Sequence, residues 1–110
     1  MMLRDKDKQQ LFAIASRTLH TPLEIWAYGS RVNGDAHDTS DLDLVLRTKD
    51  LSRLNHREFY DFKEALEEST IPILIQVFDW ANIPESFRQN ILKRYEVLFS
   101  FPRGSVGTRN

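Results

Sequence analysis

The chain has 110 residues, of which 41% are hydrophobic and 11% aromatic, a formal net charge of −1 and no cysteine. That length fits one compact domain with a real core, no apolar run approaches the roughly 18 residues of a membrane span, and the charge gives no global attraction to nucleic acid. The missing cysteines exclude a disulfide framework or thiolate site, and the mixed-charge start Met1 to Lys8 lacks the apolar stretch of a signal peptide, so a cytoplasmic location is expected.

From Arg4 to Leu19 the residues Leu11, Ile14, Ala15 and Leu19 draw one apolar stripe, which predicts a helix closed by Pro22. Glu24 to Tyr28 is a short aromatic-rich run stopped by Gly29-Ser30, the pattern of a strand entering a turn or a short helix. Asn33 to Ser40 reads as polar loop. Leu42, Leu44 and Leu46 then alternate with Asp41, Asp43 and Val45, which predicts a strand with Leu on one face and two carboxylates opening the other. Asn55 and Glu58 resemble a capping pair, and Phe59, Phe62 and Leu66 continue a helix to Glu68.

Ile71 to Phe78 is the most strand-like stretch, with Pro72 tolerable near its start. Asn82-x-x-Glu85, with Pro84 in the first turn, predicts a last helix whose Phe87, Ile91 and Leu92 face inward. Val97-Leu98-Phe99 either pairs briefly or packs. Ser100 to Asn110 has no apolar period and is expected to fray, leaving a domain over 1–99 and a tail over 100–110. The order is that of an α/β (α+β) domain, a small mixed sheet of three to four strands flanked by helices.

The chemistry concentrates in Gly29-Ser30-Arg31 and, after ten intervening residues counted from Ser30, Asp41-Leu42-Asp43. On a strand, Asp41 and Asp43 point the same way. At about 5 Å and an effective dielectric of about 20 the two charges repel by roughly 3 kcal/mol, a cost that a divalent cation turns into attraction. Sparse hard oxygen ligands favour Mg²⁺ or Mn²⁺ completed by water and phosphates. Zinc does not fit, because His20, His37 and His56 are scattered. Gly29 permits a turn closed to other residues and Ser30 is small, so phosphate can approach the backbone N–H groups, with Arg31 as an even choice between phosphate neutralisation and a solvated loop position.

Each half alone reads more simply as structure, a turn and a surface strand; together, with Leu42, Leu44 and Leu46 interleaved, they favour a site. Asp35 and Asp38 lie in the same loop but lack the order and terminal Glu of a calcium loop. His37 reads as solvated, and Trp26, Tyr28, Phe59, Phe62 and Phe87 as core.

Gly29-Ser30-Arg31-Val32-Asn33-Gly34, the ten-residue interval and Ser40-Asp41-Leu42-Asp43-Leu44 resemble the signature of the minimal nucleotidyltransferases, the MNT group of the polymerase-beta-like superfamily. Trp26 to Arg31, Phe78-Asp79-Trp80 and the expected closing helix Phe87 to Tyr95 also resemble small bacterial members that act as antitoxins of HEPN proteins. The resemblance implies a nucleotidyltransferase-like fold and transfer of AMP from ATP to a tyrosine hydroxyl of a HEPN toxin partner, without direct nucleic-acid or membrane binding. It implies that Gly29 and Ser30, with Arg31, bind the nucleotide triphosphate, and that Asp41 and Asp43 are the catalytic pair that binds Mg²⁺.

The chain departs from the family pattern at one place. A third carboxylate is usual on the later strand, and the run Ile75-Gln76-Val77-Phe78-Asp79-Trp80 puts Gln76 there. A neutral amide cannot take a proton from the acceptor. Asp79 can substitute only if the strand bulges or ends early. An alternative is therefore a weakened or inactive binding module that neutralises its partner by complex formation, as a homo- or hetero-oligomer. A small-molecule nucleotidylating enzyme is disfavoured, because there is no second domain to hold the acceptor.

Overall fold

A computed structural model of the chain describes residues 3–33 and 41–101, the side chains of Ser30 and Asn33 apart. It comprises helix α1 (Asp5–Thr18), strand β1 (Leu23–Tyr28), the single helical turn α2 (Ser30–Asn33), strand β2 (Leu42–Thr48) and helix α3 (His56–Glu67). Strand β3 (Ile75–Asp79), a 3-10 turn (Trp80–Asn82), helix α4 (Glu85–Lys93) and strand β4 (Tyr95–Phe101) follow. The strands form one mixed sheet in the order β3-β2-β1-β4. β1 runs antiparallel to β2 and β4, and β3 runs parallel to β2. The expected frame of a small mixed sheet flanked by helices is present. No helix among the described residues is long and apolar enough to cross a membrane.

Alternate residues of a strand face opposite sides, and this sheet is packed on both. Leu23, Ile25 and Ala27 of β1 and Leu42, Leu44 and Leu46 of β2 join Leu11, Ile14 and Ala15 of α1 and Phe62 and Leu66 of α3 in the main core. On the other face Trp26 and Tyr28 of β1 and Val45 of β2 pack against Trp80, Ile83, Phe87 and Ile91. Burial from both sides explains why β1 reads as a nearly continuous apolar run, whereas β2, with one face ending in the site, alternates.

β4 serves both faces through a bulge. The register shifts between Ile25 and Trp26, and Leu98 is the residue left over. Beyond it Phe99 and Phe101 pack on Phe12 at centroid distances of 5.2 and 5.5 Å, while Tyr95, before it, stacks on Trp26 at 4.1 Å.

Asn55 caps α3 as expected, its side chain accepting from the N–H groups of Arg57 and Glu58 at 2.9 and 3.2 Å. Glu58 does not close the reciprocal half of a capping box. Its carboxylate accepts from the backbone N–H groups of His20 and Thr21 at 2.9 and 3.0 Å and from the Thr21 hydroxyl at 2.7 Å, which ties α3 to the end of α1.

Four expectations need correction. The strand predicted over 71–78 begins only at Ile75 and runs to Asp79, because Pro72 carries no N–H and pairing to β2 opens at the Leu42 N–H to Leu74 carbonyl bond of 2.9 Å. Asn82 does not start α4; it lies in the 3-10 turn that Asp79 caps, and α4 follows Pro84. Leu92 is 41% exposed rather than inward, since Phe87 and Ile91, four residues apart, already define the face that meets the sheet. Ser100 and Phe101 are part of β4, with Phe101 buried in the main core, so regular structure passes residue 99. The tail expected beyond them lies outside the described residues.

Candidate functional site

β1 delivers the chain to Gly29 with φ at +86°, the left-handed region that favours glycine. The reason is also steric: a Cβ on Gly29 would run into the Asp43 carboxylate. The turn closes with the Val32 N–H donating to the Gly29 carbonyl at 3.1 Å and continues as α2. The two motif halves, separated in sequence, are therefore in contact in the fold.

Sheet pairing sets the neighbours of Asp43. Antiparallel β1 puts Tyr28 opposite it, and parallel β3 puts Gln76 on its other side. Asp41 sits just before β2, and its Oδ2 accepts a hydrogen bond from Gln76 Nε2 at 3.0 Å. Gly29, Asp41, Asp43, Tyr28 and Gln76 thus form one group at the end of the sheet where β1 leaves and β2 and β3 enter.

The electrostatics follow from that crowding. Partial burial pushes the Asp43 carboxyl above the usual range, and the charge of Asp41 adds to the shift. Burial also raises the Tyr28 hydroxyl, with Asp43 contributing, so Tyr28 stays neutral and does not compete as a negative ligand. Among the described residues no three or more His, Cys, Asp or Glu side chains form a closed metal cage. Asp41 and Asp43 alone suit a hard cation such as Mg²⁺ or Mn²⁺ that takes its remaining ligands from phosphate and water, and a cation there would relieve the charge that Asp43 resists.

Asp79 plays a different part. β3 has no irregularity in its pairing with β2, so Asp79 lies beside Leu46, three positions along from Gln76. It is buried, its Oδ2 accepts from the Leu54 N–H at 2.8 Å and its Oδ1 from the Ala81 N–H at 3.0 Å. Both oxygens are used by backbone, so Asp79 does not take the place of a third carboxylate.

Arg31, read from the sequence as either a phosphate ligand or a solvated residue, is buried within α2. The Ser30 backbone starts α2; its side chain, and Asp35, His37 and Asp38, lie outside the described residues. Trp26, Tyr28 and Phe62 are buried, and Phe59 and Phe87 pack at the borders of the two cores, as expected of core aromatics.

One part of the neighbourhood was missed. A cleft of about 410 Å³ opens beside Gly29, lined by Tyr28, Phe87, Asn90, Lys93 and Arg94. Parity along β1 puts Tyr28 on the same face as Trp26, but nothing local in the sequence says that this face meets Asp43 or that the end of α4 folds over the Gly29 turn.

Comparison with known proteins agrees with this geometry. Residues 9–103 match the family described as "Polymerase beta, Nucleotidyltransferase". The chain is 40% identical over 74 residues to a protein of Haemophilus influenzae described as "Probable protein adenylyltransferase MntA"; the match covers 67% of this chain and only 63% of that relative's length. Its fold is similar to that of a toxin–antitoxin crystal structure with AMP-PNP, at a TM-score of 0.67 and 14% identity over 84% of this chain and 72% of the other. It is also similar to a chain of the tri-AMPylated Shewanella oneidensis HEPN toxin in complex with MNT antitoxin, at a TM-score of 0.64 and 10% identity over 88% and 72% of the two chains. A glycine turn in contact with an Asp-x-Asp strand on this sheet, together with the match over residues 9–103, shows that the chain belongs to the polymerase beta nucleotidyltransferase family.

Proposed function

We propose that the chain is a protein adenylyltransferase of the MNT antitoxin kind, which takes AMP from ATP and attaches it to a tyrosine hydroxyl of a HEPN toxin partner in the cytoplasm. The observation that carries this reading is the contact between Gly29 and Asp43, which joins the glycine turn and the carboxylate pair into one site. The similarity to a protein described as an adenylyltransferase, and to structures of HEPN toxin with MNT antitoxin, supports the choice of acceptor.

In this reading the backbone N–H groups of the Gly29 turn would meet the triphosphate, and Asp41 and Asp43 would hold Mg²⁺ or Mn²⁺. When bound, the ion would supply positive charge to offset the negative charge of the triphosphate during transfer. The acceptor oxygen bonds to the α-phosphorus, the bond to the bridging oxygen of the β-phosphate breaks and pyrophosphate leaves. The acceptor's proton goes to solvent, because the Gln76 amide has no capacity to take it. The test is to incubate the purified chain with its HEPN partner, ATP and MgCl₂ and to weigh the partner by intact-mass spectrometry. Addition of one or more AMP groups to tyrosine is expected, and an unchanged mass sinks the proposal.

A second reading rests on the bond from Gln76 to Asp41. An amide that holds one metal ligand and offers no third carboxylate suits a module that binds nucleotide and neutralises its partner by contact. Under that reading the double variant Asp41→Asn, Asp43→Asn still protects cells from the toxin. Loss of protection by a variant that folds and still forms the complex returns the choice to catalysis.

A further inference from the structure

Resting on the nucleotide reading above, we propose that the last turn of α4 is the second wall of the nucleotide site, with Lys93 as a ligand of the triphosphate. The cleft beside Gly29 is shared property: the glycine whose missing side chain makes room for Asp43 also lines the cleft, and Lys93 lines it from the other side. A phosphate chain on the Gly29 turn would border the cleft that Lys93 lines, with the Asp43 carboxylate on the other side of that glycine.

Charge gives the reason for a cation here. A triphosphate of about four negative charges, added to the two carboxylates, outweighs one divalent cation, so the site needs further positive charge from protein. Arg31 is buried within α2. Lys93 is exposed, and among the described residues no carboxylate pairs with it. A cation in the last turn of a helix also favours the helix dipole. That local benefit explains a basic residue at the end of α4, but not its position on the cleft that Gly29 also lines.

The rest of the wall suits a nucleoside. Asn90 precedes Lys93 by three residues and faces the same cleft, offering an amide for hydrogen bonds. The Phe87 ring is fixed edge-on against Tyr28 and Phe78, each at a centroid distance of 5.7 Å, and Phe87 and Ile91 supply the apolar floor. The volume of about 410 Å³ falls in the range of about 300–1,000 Å³ usual for small-ligand sites.

The experiment is calorimetric titration of the full chain with ATP in MgCl₂, and separately with AMP and adenosine, for wild type, Lys93→Ala, Lys93→Arg and the charge control Lys49→Glu. Circular dichroism establishes that each variant is folded. Lys93→Ala is expected to weaken ATP binding by about fivefold or more, AMP less and adenosine little, as for loss of one partly exposed charge-assisted contact. Lys93→Arg restores most of the ATP affinity, and Lys49→Glu leaves it unchanged. ATP binding by Lys93→Ala equal to wild type overturns the inference while the nucleotide reading stands. An equal loss for ATP and adenosine also overturns it, since the effect is then structural. Absence of magnesium-dependent ATP binding by the wild type overturns the nucleotide reading itself.

Discussion

Gly29 and Asp43 show how two residues constrain each other to make a site. Alanine at position 29 has to adopt a positive φ and also displace the Asp43 carboxylate, so both stability and binding fall. Gly29→Ala is expected to cost about 1–2 kcal/mol in a thermal melt and to remove magnesium-dependent ATP binding; a variant that melts and binds like wild type would show that the turn does not meet the carboxylate. Asp43 carries the opposite trade. Its carboxyl is raised by burial and by Asp41, so the ionised form is less favourable in the folded chain than in the unfolded one. It therefore subtracts stability, and the loss develops as pH rises from the ordinary carboxylate range through the raised folded value. At neutral pH without metal, Asp43→Asn is expected to raise the melting temperature and, under the proposed function, to end AMP transfer. A lower melting temperature for this variant contradicts the account of Asp43 as an uncomfortable charge.

β3 carries two residues that a linear reading treats as rivals, and the fold separates their work. Gln76 stands beside Asp43 and holds Asp41, whereas Asp79 holds the Leu54 and Ala81 N–H groups where β3 turns toward α4. An Asn at 79 keeps one oxygen and turns an amide toward the other N–H. Asp79→Asn is thus expected to lose about 1–3 kcal/mol of stability with ATP affinity unchanged per folded molecule, and a selective loss of ATP binding in a fully stable variant would put Asp79 back in the site. The parts of this arrangement that were legible in the sequence are those set by local rules. The alternation of Leu42, Leu44 and Leu46 fixed the faces of β2, and Asn55 fixed the start of α3. What depends on distant partners was not legible. The start of β3 waits on which carbonyl meets the Leu42 N–H, the reach of β4 on a bulge at Leu98 and a seat for Phe101 on Phe12, and the hydrogen bond of Gln76 on a parallel register. The α4 wall was missed for the same reason, since helical periodicity gives the face that packs and not the neighbour over which its end lies.

The sheet is the common wall of two cores, and the site sits at one end of it on the more thinly covered side. Leu42 and Leu44 are fully buried toward α1 and α3, while Asp43 between them faces the site. Phe78, Tyr95 and Val97 remain partly exposed among the residues around the α4 side. Since β1 and β2 belong to both cores, opening either side exposes the backs of the same strands, which favours unfolding as one unit. Ligand binding at the site should then stabilise the far core as well as the near one. At a free ATP concentration of about 100 times Kd in excess MgCl₂, linkage gives about 2.7 kcal/mol and a rise in melting temperature on the order of 10 °C. Native-state hydrogen exchange reads the distribution of that gain. Slow amides in α1 and α3, which touch no part of the site, are expected to gain the same protection as those of β1 and β2. Protection confined to β2, β3 and α4, with α1 and α3 unchanged, would show that the two cores open independently and that the sheet does not couple them.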